Sequence, residues 1–357
     1  MERRLRHFKN QETIRRMKMK TNYFNLNVVG MFIMGVIAAG SASAADFPIT
    51  TALKQASVTQ GFGKTSLAVL HREAAASQAQ VRAALLGKLC AGCAVTDKAQ
   101  GANLEITGEH LSLSIAADGT AADFRDLSVE EKAHSLAKPA EDKMSQAALE
   151  EAGRTFVASK LADVIVLGPG EQLVPLLTDY RIEGLQNLST GAVTRSVAAN
   201  RVMFGRTING VPVVGNGSAV VVTFANDGSV ESFHYDWPKY ETAAAQGLVS
   251  AAGLLDRVQK VVSARTGLAS AFTVKVPSVT EAAGTVNLNT DTKLESLQCG
   301  YYDAGSAAGH AQVQPGCVYR AVFADATGMR QGYAGAVPGG LVFEADAKWL
   351  ETQILKP

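Results

Sequence analysis

Apolar positions recur along this chain with two different periods. Residues 145–161 (SQAALEEAGRTFVASKL) place Leu149, Ala152, Phe156 and Leu161 on one face behind Ser145, a good N-cap. Residues 250–266 repeat that design. Ser250 caps, Leu254, Leu255, Val258, Val261 and Val262 form the stripe, and Gly267 stops it. Arg257, Lys260 and Arg265 then fall on the wet side. An Ala-rich stretch around 74–89 holds Val81, Leu85 and Leu89 in the same register. None of the three is apolar all round, so each is expected to lie on a sheet with one face in water.

Between them the period changes to two. Residues 111–124 (LSLSIAADGTAADF) and 220–233 (VVVTFANDGSVESF) are each an alternating strand, an Asp-Gly turn and a second alternating strand. The glycine supplies the positive φ such turns need. The two segments align at an offset of 233 − 124 = 109 residues, matching Asp118-Gly119 with Asp227-Gly228 and Phe124 with Phe233. A third hairpin turns at Asn209-Gly210, between 201–208 and 211–214. Pro212 cannot donate to a ladder, which directs its side of the strand to an edge or bulge. Shorter strand-like runs follow at 272–276, 294–302, 317–324 and 330–337, and 134–144 and 238–247 read as linkers. Helix followed by antiparallel sheet, repeated, predicts an α+β fold. The expected units are 45–137, 138–240 and 241–357.

The first 44 residues belong to none of these. Residues 26–39 (LNVVGMFIMGVIAA) form a short apolar run behind Arg15, Arg16, Lys18 and Lys20, and Ala42-Ser43-Ala44 gives an A-x-A cleavage pattern. This is the layout of a secretory signal peptide, with Met17 or Met19 a tidier start than Met1. A spanning helix needs about 20 apolar residues. Cleavage would leave a mature chain from Ala45, secreted or periplasmic, with no membrane span.

Removing that segment changes the charge. It holds 8 of the 34 Lys/Arg and 2 of the 33 Asp/Glu, which leaves 26 basic and 31 acidic residues, a net charge of −5. A mildly acidic body without a basic stripe argues against nucleic acid as a partner. All four cysteines, Cys90, Cys93, Cys299 and Cys317, survive cleavage. An even number in an exported chain suggests disulfides. Three pairings are open, and proximity favours Cys90–Cys93 with Cys299–Cys317. Cys90-Ala-Gly-Cys93 follows a helical pattern, so the negative end of that helix opposes a reactive thiolate, and a structural bond is favoured over redox chemistry. With a single C-x-x-C pair, a four-cysteine zinc site is disfavoured as well.

Catalytic signatures do not rise above background. Residues 58–65 (VTQGFGKT) echo a Walker A loop, but Val58 stands where the first glycine belongs. His71, His110, His134, His234 and His310 are too far apart for zinc-hydrolase spacing, and neither H-E-x-x-H nor G-x-S-x-G occurs. Gly217-Ser218-Ala219 sits in a hairpin connection. On a strand, His234 and Asp236 share one face and Tyr235 and Trp237 the other, which predicts that the aromatic pair packs and the polar pair is solvated. Tyr301, Tyr302 and Tyr319 flank the second cysteine pair, where they suit a protein contact and equally suit covering a sheet. No cofactor or metal is implied.

Residues 201–237 (RVMFGRTINGVPVVGNGSAVVVTFANDGSVESFHYDW) resemble the fungalysin/thermolysin propeptide (FTP) and PepSY modules. The likeness rests on Asn209-Gly210-Val211-Pro212-Val213, Val220-Val221-Val222 and Asp227-Gly228-Ser229-Val230, and it extends loosely over the helix at 250–266. It implies tandem cystatin-like units, each a helix packed on a curved antiparallel sheet. In secreted metalloprotease precursors such modules assist folding of the protease and restrain it. No protease follows here, so a protease partner would be a separate molecule. The expected function is therefore an exported, non-enzymatic protein that binds a protein or peptide. Its candidate contact residues are the Asn209, Gly210, Val211, Pro212, Val213 edge and the Tyr301, Tyr302, Tyr319 patch. A hydrolase whose site is assembled between units and a small-ligand carrier are the alternatives.

Overall fold

In the computed structural model, the described residues are 65–341 except 75, 134–135, 187–189, 251–252, 254–256, 258–292, 306–311 and 325–329. The signal segment, the Walker-like residues 58–64, most of the 250–266 helix, the 272–276 run, His134 and His310 lie outside the described residues.

The chain begins with β1 (Ser66–Glu73) and α1 (Gln78–Leu89), followed by two hairpins, β2 (Val95–Gln100) with β3 (Asn103–Gly108) and β4 (Leu111–Ile115) with β5 (Ala121–Asp126). Helix α2 (Leu127–Lys132), the short β6 (Lys138–Pro139) and α3 (Gln146–Lys160) come next. A long ribbon, β7 (Glu171–Gln186) and β8 (Val193–Ile208), leads into β9 (Val211–Gly215), β10 (Ala219–Phe224), β11 (Val230–Asp236) and β12 (Lys239–Gly247). The last strands are β13 (Lys293–Asp303), β14 (Gln312–Ala324) and β15 (Arg330–Pro338).

These strands join one 15-stranded sheet, in the order β12-β1-β14-β13-β9-β8-β10-β11-β5-β4-β3-β2, with β7 and β6 also on β8 and β15 on β14. The sheet is mixed, because β9 runs parallel to β13, with Val213 opposite Tyr301. The molecule is thus mostly strand. This corrects the expectation of an α+β fold of tandem helix-on-sheet, cystatin-like units. The two Asp-Gly hairpins lie side by side, β5 pairing β11 with Phe124 opposite Phe233. The supposed linker 238–247 is strand β12, which returns to pair β1 from Ser66↔Gly247 to Glu73↔Lys239. Hairpin periodicity identifies strands but cannot say that distant hairpins share one ladder.

Local chemistry explains the helices. In α1, Ser77 and Gln80 form a reciprocal capping box, and Val81 and Leu85 are buried. In α3, Ser145 accepts from the Ala148 N–H, and Leu149, Phe156 and Val157 face inward. Gly153 allows the close approach to β8: a Cβ there would come within 2.6 Å of Val202 and Phe204. Both helices cover the main core, whose floor is Leu111, Leu113, Ile115, Phe124, Val220, Val222, Phe224, Phe233, Tyr235 and Trp237. Those residues alternate along their strands, as an antiparallel sheet with one packed face requires. A second core gathers Leu67, Leu70, Ile208, Val213, Leu248, Tyr301 and Val313.

Both expected disulfides are present, Cys90–Cys93 and Cys299–Cys317, the second joining residues directly opposite on β13 and β14. Cys90 is the C-cap of α1. No helix among the described residues is long and apolar enough to cross a membrane.

Candidate functional site

Arg72, near the end of β1, is the hub of a buried ionic junction. Its Nη1 donates to both carboxylate oxygens of Asp303 at 2.6 and 2.7 Å, and its Nη2 to Asp236 at 2.8 Å. All three side chains are under a tenth exposed. Opposite Arg72 on β12 stands Tyr240, whose hydroxyl donates to Asp303 and lies 2.7 Å from Ser218 Oγ. Strands β1, β11, β12 and β13 are therefore tied at one point.

Backbone shape makes room for this. Gly305 donates its N–H to Asp303 at 2.9 Å, and a Cβ at Gly217 would fall 2.0 Å from the Asp303 carboxylate. Burial would lower the Arg72 pKa, but the charges of Asp303 and Asp236 outweigh it and hold the guanidinium protonated. Burial pushes Asp303 above the usual aspartate range, with Arg72 and the Tyr240 hydroxyl pulling against it. Burial, helped by the Asp303 charge, also raises Tyr240 and pushes Tyr302 up to about 12.

Arg206 on β8 borders the junction, sandwiched between the rings of Trp237 at 4.0 Å and Tyr240 at 4.7 Å. It donates once, to Glu171 at 3.2 Å, and burial lowers its pKa. Its Nε and Nη2 have neither a partner nor exposed surface, so the aromatic faces supply its stabilisation. The junction is closed to solvent. What it can do chemically is fix strand positions.

The predicted site residues fall on either side of this picture. Asn209 and Gly210 form an exposed turn, with φ of 50° and 78°. Val211 and Pro212 pair with β8, and Val213 pairs with β13 and is 3% exposed. The strand expected at an edge thus lies between two others. Tyr301 and Tyr319 are buried and Tyr302 half-buried, so the tyrosines cover the sheet rather than form a surface patch. Tyr235 and Trp237 pack as expected. Their polar companions separate: Asp236 is buried on Arg72, while His234 is 42% exposed and meets Asp123 at 2.9 Å across the β5–β11 ladder. There, burial would lower the histidine pKa, and the hydrogen bond and charge of Asp123 raise it above the ordinary value.

Besides the two-residue β6, the strands β2, β7, β12 and β15 each pair, among the described residues, with one strand only. Three of these carry features that discourage further pairing. Strand β2 presents Asp97 and Lys98, β7 contains Pro175 and two register shifts, and β15 ends on Pro338. Strand β12 is uncharged and proline-free from Thr242 to Gly247, with one register irregularity against β1 between Ala245 and Thr242. Its outer side already accepts a short antiparallel segment. Leu341 donates to Gly247 O at 2.8 Å, Val249 to Gly339 O at 3.0 Å, and Leu248 bridges Gly340. Leu248 donates to Thr65 O on the β1 side. Alternation therefore turns the N–H groups of Ala245 and Gly247 outward, away from β1. At the other end of the strand, Tyr240 is anchored in the junction.

Sequence reasoning missed Arg72, Asp303, Arg206, Tyr240 and the β12 edge. The sole local hint is an arginine ending the apolar alternation of LAVLHRE. Arg72 and Asp303 are 231 positions apart, a separation at which spacing carries no signal.

No protein-family model matches the chain, and no curated protein matches it. Among solved structures, it is similar to a crystal structure of an uncharacterized protein from Eubacterium rectale ATCC 33656. The TM-score is 0.41 at 12% identity, covering 79% of this chain and 85% of that one. A likeness at that level carries no argument about function.

Proposed function

We propose that this is an exported, non-enzymatic protein that binds another protein or a peptide, taking up its extended segment along the outer side of β12. The observation that supports this is the state of that strand. It is held at both ends, it pairs with Gly339–Leu341 at its last positions, and among the described residues the rest of its outer side has no partner. An added strand gains main-chain hydrogen bonds there without disturbing the β1 ladder. Two disulfides and the signal-like first 44 residues support export. The likeness of residues 201–237 to FTP and PepSY modules makes a co-secreted metalloprotease the first partner class to test.

The test adds the purified chain to a panel of co-secreted metalloproteases and measures proteolytic rate and refolding yield. Slowed activity or a higher yield is expected, and the Ala245→Pro variant should lose the effect. Proline there removes an outward donor while sparing the bonds to β1. An undiminished effect in that variant moves the contact elsewhere, and no effect in any pairing sinks the proposal.

A further inference from the structure

We propose that the anchor of β12 is a two-state latch. When Tyr240 withdraws from between Arg206 and Asp303, those two residues pair directly and leave Lys239–Thr242 undocked from β1. This holds whether or not β12 takes up a partner strand.

Three observations lead there. First, the buried charges are unevenly served. Two guanidiniums, Arg72 and Arg206, share the cluster with three carboxylates, Asp236, Asp303 and Glu171, and each of these side chains is at most a tenth exposed. Arg72 is divided between two of the acids: Nη2 goes to Asp236, and Nη1 alone serves both oxygens of Asp303. Second, Arg206 has donors to spare. Its Nη1 meets Glu171 at 3.2 Å, whereas Nε and Nη2 are buried without a partner. Those two atoms form the edge of a guanidinium that meets a carboxylate side-on through two parallel hydrogen bonds. Third, Tyr240 separates the two halves of this unmade pair. Its ring lies 4.7 Å from the Arg206 guanidinium, and its hydroxyl donates to Asp303.

Asp303 is the member that stays in place. Its carboxylate accepts the Gly305 N–H at 2.9 Å and fills the space that a Cβ on Gly217 would need. Burial raises its pKa despite Arg72, and a second guanidinium would relieve that cost. Withdrawal of Tyr240 breaks the hydroxyl bond and the stack on Arg206, losses that the side-on pair offsets. The ladder sets how far the opening runs. Strand β12 follows β1 regularly from Glu73↔Lys239 to Leu70↔Thr242, and a register irregularity then separates that stretch from Ala245–Gly247. The released unit is therefore Lys239–Thr242, while Gly247 keeps its bond to Leu341. Opening on that scale is local, distinct from unfolding of the core.

Hydrogen exchange tests this in the full chain and its Arg206→Lys variant. Leu248 donates to Thr65, so alternation along β1 turns His71 toward β12 and makes the opposite Glu241 amide a reporter of docking. Lysine keeps the charge and can still lie between the rings, but it has no side-on fork. The Glu241 amide should exchange about fivefold slower in the variant, because only the open arrangement uses the fork, while Tyr235 in the central ladder should be unchanged. An unchanged or faster Glu241 amide overturns the latch, since Arg206 would then serve the docked arrangement alone. Equilibrium unfolding gives a second measurement. Arg206→Lys should lower the folding constant about tenfold more in a Tyr240→Ala background, where the direct pair can form, than in the parent. An equal effect in both backgrounds also overturns it.

Discussion

Phe124 and Phe233 lie directly opposite one another on β5 and β11, their rings stacked with centroids 5.1 Å apart. They are also the equivalent positions of the two Asp-Gly hairpins, at the offset of 109. The registers agree over four successive pairs, from Leu111↔Asp126 to Ser114↔Asp123 in the first hairpin and from Val220↔Tyr235 to Thr223↔Ser232 in the second, and part at a register shift that sets Phe224 opposite Val230. Both turns close the same way, with Asp118 accepting from the Thr120 N–H at 3.0 Å and Asp227 from that of Ser229 at 2.9 Å. The four strands are therefore related by a local two-fold axis that passes between the two phenylalanines.

This pair should be worth more than its separate halves. Truncating either Phe124 or Phe233 to alanine removes a buried ring, in the case of Phe233 one that also meets Phe156, and should destabilise by about 3–5 kcal/mol. The double variant should fall short of the sum by about 0.5–1.5 kcal/mol, the coupling of a stacked aromatic pair. Denaturant melts of the four proteins check both figures, and strict additivity would remove the pair interaction.

How much of this was readable beforehand divides by distance along the chain. Ser145, Asn209-Gly210 and the two Asp-Gly turns act within a few residues, and each does what its local chemistry predicts. The proximity pairing of the cysteines likewise follows from short separations. What failed depends on long-range pairing. Residues 238–247 are rich in alanine and lack alternation, so nothing local marks them as a strand; they become one because β1 lies alongside. Val213 looked like an edge because Pro212 precedes it, yet β13 arrives from far along the chain to cover it. The candidate edge is defined by what does not pair with it, a property no single segment carries.

The exposed His234–Asp123 pair sets a small pH dependence. The folded histidine has a raised pKa, so its contribution is fully present below the unfolded value near 6.5 and is lost as pH rises through the higher folded value. Because His234 and Asp123 are 42% and 66% exposed, solvent screens the gain to a small size. Melting temperature measured from about pH 5 to about pH 8 should decline more steeply in the parent than in Asp123→Asn. Superimposable profiles would show that the contact contributes nothing.

The two disulfides should differ in weight. Cys299–Cys317 closes a loop of 19 residues between adjacent strands, and replacing both cysteines by serine should cost about 3 kcal/mol. Cys90–Cys93 closes a much shorter loop at the end of α1, so its removal should cost less. Urea melts of the two double variants give the ranking directly, and a larger loss at Cys90–Cys93 would contradict the chain-entropy reasoning.

The Arg72 junction supplies the sharpest contrast between breaking a buried charge pair and replacing it. Asp303→Asn keeps the shape but leaves Arg72 with one carboxylate, Asp236, in a site under a tenth exposed. Removing one partner of a buried pair typically costs about 3–5 kcal/mol, because the remaining charge stays desolvated. Gly217→Ala attacks the same contact from the other side, as its methyl would occupy the position of the Asp303 carboxylate. Combining Arg72→Met with Asp303→Asn and Asp236→Asn discharges the site entirely, so this triple variant should recover a substantial part of the loss seen with Asp303→Asn alone. Equilibrium unfolding of the set decides the matter. Should the triple variant prove as unstable as the sum of its parts, the three groups are not acting as one electrostatic unit, and the hydrogen bonds of Tyr240 and Gly305 would then carry the stabilisation at Asp303.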